Sequence, residues 1–272
     1  MAKLCVCLET VFPNLPIEKR IEPVARAGYR FVEVWFMGCS WEKEDMAVTA
    51  KKLKDFARAC ADNGVTFNNL VLNGPSGSPG GALVRPSDHA VYLERLKRVA
   101  GAALSAGCSM AITCTGNWQY KRSREDQRRS IVDVLRKAAT IAEPLGFSLV
   151  LEALNTYTDH AGYFLDSPEE GASIVREVNS PRVKLLYDVY HMQIMSGNHT
   201  NFIRQNLDII GHFHSAGVPG RHELFDGEIA YPFIMKELDR LDYGGCFGLE
   251  YTPALKDHAE SLAKVKQYLE TR

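Results

Sequence analysis

Short apolar runs alternate with longer stretches of helical periodicity along the chain, and the alternation repeats eight times. The first run is Lys3–Glu9, followed by a helical pattern over Ile17–Ala27. AGYRFVEVWF turns at Gly28 and predicts a second strand ending near Trp35, then an amphipathic helix over Ala47–Asn63. NGVTFNNLVL supplies a third strand after Gly64. Asn73–Arg85 is rich in Gly, Ser and Pro and reads as a loop, and a helix from Ser87 to Ala106 comes next. AGCSMAITC is strand four, ahead of a helix over Arg124–Leu145. LGFSLVLEA is strand five, and Ser167-Pro-Glu-Glu opens the next helix with Ser as N-cap and Pro at the first helical position. PRVKLLYD, IIGHFH and GGCFGLEY are strands six to eight, followed in turn by helices over Asn201–Asn206, Tyr231–Leu241 and Ala259–Leu269.

Gly precedes five of these strands, where a helix C-terminus needs a residue that accepts positive φ. Strands alternating with helices imply parallel pairing through right-handed crossovers. Eight such units in 272 residues predict an α/β chain folded as a closed (β/α)8 TIM barrel, one domain spanning 1–272. A doubly wound open sheet is the alternative. No strand runs directly into a G-x-G-x-x-G or Walker A loop.

Four of the strands stay apolar until their last residue and then present an acid or an imidazole: SLVLE, KLLYD, IGHFH and CFGLE end on Glu152, Asp188, His214 and Glu250. The separations are 36, 26 and 36 residues, each about one strand-plus-helix unit. In a barrel the C-terminal strand ends surround one site, so these residues are expected to meet. Three carboxylates there would repel one another unless a cation neutralised them, and the mix of oxygen and imidazole donors suits one divalent ion such as Mn2+, Mg2+ or Co2+. Alternation along the strand puts His212 on the same face as His214, so the two compete for the ligand position, with His214 nearer the rim. The small Ser148 and Gly248 leave space inside the barrel.

Other residues have both a functional and a structural reading. His191 lies just past strand six, where it could bond a substrate oxygen or sit at the surface of a helix start. Arg221, in the AGVPGRHE loop after strand seven, could clamp a carboxylate or sugar hydroxyls. Trp35 and Trp118 end strands two and four and could wall a pocket or fill the core. Glu33 shares a face with Trp35 at greater depth, where it could reach the site or pair with Lys184. Arg85 and Lys121 are further cations for an acidic substrate.

Basic and acidic residues nearly cancel, 32 against 33, which gives no global attraction to nucleic acid or an anionic membrane. No apolar run approaches the roughly 20 residues that span a bilayer, and the chain leads straight into a strand without a signal pattern. Seven scattered cysteines complete no zinc motif and are expected as reduced core thiols. The expected setting is therefore cytoplasmic, with a small-molecule substrate, no nucleic acid and no membrane.

LEALNT, LLYDVYHMQ, HFHSAGVPGRHE with DGEIAYP, and GLEY together resemble the hydroxypyruvate isomerase family of the xylose-isomerase-like barrel superfamily, which also holds ketose 3-epimerases and the endonuclease IV type of DNA repair enzyme. The resemblance spans the barrel and is densest from Glu152 to Tyr251. It implies Glu152, Asp188, His214 and Glu250 as metal ligands, Glu152 and Glu250 as the acid/base pair, His191 and Arg221 as substrate contacts, and a homo-oligomer. His214 departs from the hydroxypyruvate enzymes, which often carry Gln there; the HFH pattern is similar to ketose 3-epimerases. The loops NGPSGSPGGALVRP and CTGNWQYK also differ from the hydroxypyruvate enzymes.

The expected activity is metal-dependent isomerisation of a small hydroxy-oxo acid or sugar through an enediolate. Ketose 3-epimerisation is the alternative, since both reactions share that intermediate. A nuclease of the endonuclease IV type is more remote, because it needs further ligands and a basic surface. A non-catalytic sugar-binding barrel would have no use for two acid/base glutamates.

Overall fold

The computed structural model describes residues 1–37 and 46–271. Eight parallel strands close into a barrel in chain order: β1 (Lys3–Cys7), β2 (Phe31–Val34), β3 (Thr66–Val71), β4 (Met110–Thr113), β5 (Ser148–Glu152), β6 (Val183–Asp188), β7 (Ile210–Ser215) and β8 (Cys246–Leu249). Lys3 lies opposite Cys246, so β8 returns to β1 and the sheet has no edge, which excludes the open-sheet alternative. The helices between strands are α1 (Ile21–Arg26), α2 (Met46–Asp62), α3 (His89–Ser105), α4 (Arg124–Leu145), α5 (Pro168–Val178), α6 (Val189–Met195), α7 (His199–Asn206), α8 (Tyr231–Arg240) and α9 (His258–Glu270). Among the described residues, no helix is long and apolar enough to cross a membrane.

Two elements differ from the sequence expectation for physical reasons. The helix expected over Ile17–Ala27 begins as a 3-10 turn, Ile17–Arg20, and becomes α-helical only at Ile21. Pro23 has no N–H to give to the carbonyl of Lys19, so an α-helix running from Ile17 would lose a bond there. After β6 the chain forms two helices where one was expected. The earlier, α6, starts at the strand end because the Asp188 carboxylate caps it: Oδ1 accepts from the backbone N–H of Tyr190 at 2.7 Å and of His191 at 3.2 Å.

Helix-to-strand turns follow the expected chemistry. Gly146 ends α4 at φ +66°, and Asn179 plays the same part after α5 at φ +54°. A continuous apolar layer separates the helices from the barrel wall. Inside the barrel the packing is divided. Val71, Ile112, Val150 and Leu186 form a small apolar cluster from β3 to β6, while Glu33, Asn69, His212 and His214 make a buried polar column. Gly248 permits that column: a Cβ there would collide with Glu33 Oε1 and His214 Cδ2. The six described cysteines are free and buried, and Cys39 lies outside the described residues.

The N-cap of α4 offers a direct stability test. Ser123 Oγ accepts from the N–H of Asp126 at 3.1 Å. Ser123→Ala should cost about 1 kcal/mol, which for a chain of this size lowers Tm by about 2–4 °C. An unchanged thermal melt would show that the cap contributes nothing.

Candidate metal centre and active site

The ends of β5 to β8 bring Glu152, Asp188, His214 and Glu250 together, with one donor atom of each within 4.8 Å of the others. The register explains the convergence: Asp188 pairs with His214, and His214 with Gly248, two residues before Glu250. His214, not His212, faces this group. Its Nδ1 lies 3.4 Å from Glu152 Oε1 and 3.5 Å from Glu250 Oε2. His212 sits one rung lower, with Nε2 2.8 Å from Glu33 Oε2. Glu33 therefore pairs with the two histidines, while Lys184 points away and donates to the backbone carbonyl of Asp208.

The electrostatics are strained by crowding. The Asp188 carboxyl is pushed up to about 7, first by burial and then by the Glu250 and Glu152 carboxylates, against the opposing pull of His214 and Arg221. His214 is raised well above the usual imidazole range: burial disfavours its charge, but Glu250 and Glu33 outweigh burial. Glu250 is also buried, yet Arg221, His214 and the Trp35 indole hold it below the usual carboxylate range. Both ring nitrogens of His214 lack a well-aligned hydrogen bond although buried, and its contacts to the carboxylates are ionic in character. Three carboxylates and an imidazole in this state are a donor set that a divalent cation would complete.

A cavity of about 210 Å³ opens above the cluster. Trp35, Phe36, Val71, Pro75, Cys114 and Leu154 give it an apolar wall, while Glu152, Glu250, His160, His191 and Arg221 are its polar groups. Glu152 and Glu250 thus reach the cavity, whereas Asp188 and His214 lie beneath its floor, each about 1% exposed.

Arg221 enters from the loop after β7 with a left-handed backbone, φ +59°. Its guanidinium pairs with Glu250 Oε2 and lies over the Tyr190 ring at 5.1 Å. Trp35 Nε1–H donates to the other oxygen, Oε1, at 2.5 Å, so Glu250 is gripped from both sides. In the same loop Glu223 is structural, accepting from the N–H groups of Ala254 and Leu255 and from the Ser261 hydroxyl.

His191 is buried on α6, not at a helix surface. Its Nδ1 accepts from Asn155 Nδ2 at 2.7 Å and from the Asn155 backbone N–H at 3.3 Å. The Asn155 amide is oriented by its own partners: its Oδ1 accepts from the N–H groups of Thr158 and Asp159, and its Nδ2 also donates to Asp159. The proton of His191 is therefore on Nε2, 3.5 Å from Asp188 Oδ2. Burial, with Arg221 and His160 nearby, holds the ring well below the usual imidazole range, so it is a neutral donor.

Trp118 is not part of the cavity lining. It stacks on Phe164 at 5.4 Å with Arg124 nearby, because the segment after β4 folds outward and bridges Asn117 to Tyr163. Arg85 pairs with Asp88 and Lys121 is exposed; neither lines the cavity. His160, which lines the cavity and packs edge-on against His191, was not anticipated. It sits in the loop after β5, away from any strand end, where the strand pattern carries no signal.

The fold and site define a (β/α)8 barrel with a carboxylate-imidazole cluster at the mouth. The xylose isomerase-like TIM barrel family model matches residues 21–268, and the chain belongs to that family. It is 29% identical over 275 residues to a 2-oxo-tetronate isomerase of Pectobacterium atrosepticum, covering all of both chains. It is 27% identical over 255 residues to the hydroxypyruvate isomerase of Escherichia coli, covering 93% of this chain and 94% of that one. Among solved structures, an AP endonuclease, family 2, from Brucella melitensis superposes with a TM-score of 0.82 at 26% identity, covering 98% and 99% of the two chains.

Proton competition at Asp188 predicts how ion binding responds to pH. A carboxyl protonated below about 7 must lose its proton to ligate. Because His214, raised well above the usual imidazole range, must also lose a proton to ligate, apparent Mn2+ affinity should fall by more than about tenfold for each pH unit below that value and go on rising, less steeply, above it. Calorimetry at several pH values checks this. Affinity independent of pH from 5.5 to 7 would remove Asp188 from the ligand set.

Proposed function

We propose that this chain is a divalent-metal-dependent isomerase of a small hydroxy-oxo acid or sugar, of the hydroxypyruvate or 2-oxotetronate type. The coarse class, an isomerase, is shared by both full-length relatives described above. The observation that carries the finer reading is that, of the four clustered residues, the two glutamates reach the cavity while Asp188 and His214 lie under its floor. That arrangement suits two residues that hold a cation and two that also move protons. A divalent cation held by the four would supply Lewis acidity to a substrate carbonyl and the hydroxyl beside it.

The chain's own groups account for the remaining steps. Glu250, kept ionised by Arg221 and Trp35, is the base that takes the proton from the carbon next to the carbonyl. Glu152, from β5 on another side of the mouth, delivers a proton to the neighbouring carbon. The neutral His191 offers its Nε2–H to a substrate oxygen. Among the described residues, Arg221 is the cation that lines the cavity and can meet a substrate carboxylate. Trp35 and its apolar neighbours exclude water from the enediolate.

An epimerase would use the same groups and return the proton to the opposite face of the same carbon; His214, the residue shared with the ketose 3-epimerase pattern, favours this second reading. A nuclease has less support, because the two candidate ligand groups among the described residues share His214.

Turnover of hydroxypyruvate, 2-oxotetronates and free ketoses in D2O separates these readings. The expected result is one deuterium at the carbon that receives the proton in an oxo-acid product. Glu152→Gln and Glu250→Gln should each slow turnover by about 10²–10⁴-fold with the melting temperature retained. Exchange confined to C3 of a ketose would make the protein an epimerase, and wild-type turnover in either variant would remove that residue from the acid/base pair.

A further inference from the structure

Beneath the four-residue cluster, Glu33 occupies a position that the proposed reaction does not use. Its carboxylate is buried inside the barrel. Oε2 accepts from Asn69 Nδ2 at 2.7 Å and lies 2.8 Å from His212 Nε2. Oε1 lies 3.1 Å from Nε2 of His214. The His214 ring therefore stands between two sets of carboxylates, Glu33 on its Nε2 side and Glu152 with Glu250 on its Nδ1 side.

We infer that Glu33 is a positioning residue that holds the proton of His214 on Nε2 and so leaves the Nδ1 lone pair free for the cation; this rests on the metal reading of the site. A neutral imidazole can be protonated on either nitrogen, and only the unprotonated one can ligate. A carboxylate accepts and never donates when ionised, so the ring nitrogen facing Glu33 must carry the proton. Metal-bound histidines are commonly oriented by a carboxylate in this way.

The rest of the column supports the assignment. With Asn69 and His212 both engaging Oε2, the Oε1 oxygen is left to His214. Gly248 pairs with His214 across the β7–β8 register, and a side chain there would drive the glutamate and the imidazole apart.

Glu33→Gln is a sharp test because an amide has one accepting and one donating end. With its oxygen turned to Asn69 and His212, its NH2 faces Nε2 of His214. The ring must then accept at Nε2 and carry its proton on Nδ1, the ligand atom. Mn2+ affinity by calorimetry should drop by about 10–100-fold, and ¹⁵N NMR of histidine-labelled protein with Zn2+ should lose the Nδ1-ligated, Nε2–H form of His214 that the wild type shows. A purely structural Glu33 would lower Tm and leave both readouts unchanged.

Wild-type protein supplies a control that does not depend on the variant folding. With Zn2+ as a diamagnetic probe, His214 should keep its proton on Nε2 and ligate through Nδ1. Gly248→Ala should weaken Mn2+ binding in the same direction. In the Zn2+-bound wild type, a proton on Nδ1 with ligation through Nε2 would overturn the inference, as would wild-type Mn2+ affinity in folded Glu33→Gln. Failure of the wild-type protein to bind Mn2+ or Zn2+ would instead overturn the metal reading on which it rests.

Discussion

Three carboxylates share one buried pocket with a single imidazole, and much of the surrounding structure responds to that crowding. Negative groups within 4.8 Å of one another in a buried setting are unstable unless something positive stands among them. The chain supplies part of the answer itself. Arg221 is drawn in from its loop to pair with Glu250, Trp35 turns its indole N–H to the same carboxylate, and His214 lies between carboxylates above and below. One oxygen of Asp188 is committed to capping α6, which fixes the direction of the other. What remains is an arrangement of ligand atoms, held by the backbone, that a cation would complete.

The same constraint links the barrel to its chemistry. Parallel strands aim their C-terminal ends at one place, and the register from β6 to β8 sets Asp188 beside His214 and Glu250 just beyond. The apolar half of the barrel interior makes a firm floor, and the polar half reaches down to Glu33 and His212. Depth then separates tasks: Asp188 and His214 stay covered, while Glu152 and Glu250 meet the cavity. Preorganisation of this kind is what a site needs if it is to favour developing charge without rearranging.

Much of this is legible in the sequence. A strand that stays apolar until one terminal acid or imidazole is a simple pattern, and four of them at unit spacing point to one locus. His214 reads as the nearer of the two histidines to the rim, and it is the one that faces the cluster; that His212 turns instead to Glu33 does not follow from spacing. Nor does α6, since the residue that starts it is also a candidate ligand and DVYH carries no separate sign of a cap. Glu33 reads as deep, but its partners lie on β1, β3 and β7, and sequence spacing says nothing of which neighbour a buried carboxylate will choose. Trp118 and His160 show the limits for loops: one folds away from the cavity onto Phe164 and the other folds into it, and neither path follows from local pattern.

The central claim is that Glu152, Asp188, His214 and Glu250 hold one cation between them. Anomalous diffraction from crystals of the intact chain grown with Mn2+ tests it most directly. The account predicts one strong peak about 2.0–2.3 Å from a donor atom of each of the four residues, with His214 contributing Nδ1. No peak at the barrel mouth, or a peak bound elsewhere with these four side chains still paired among themselves, would contradict it.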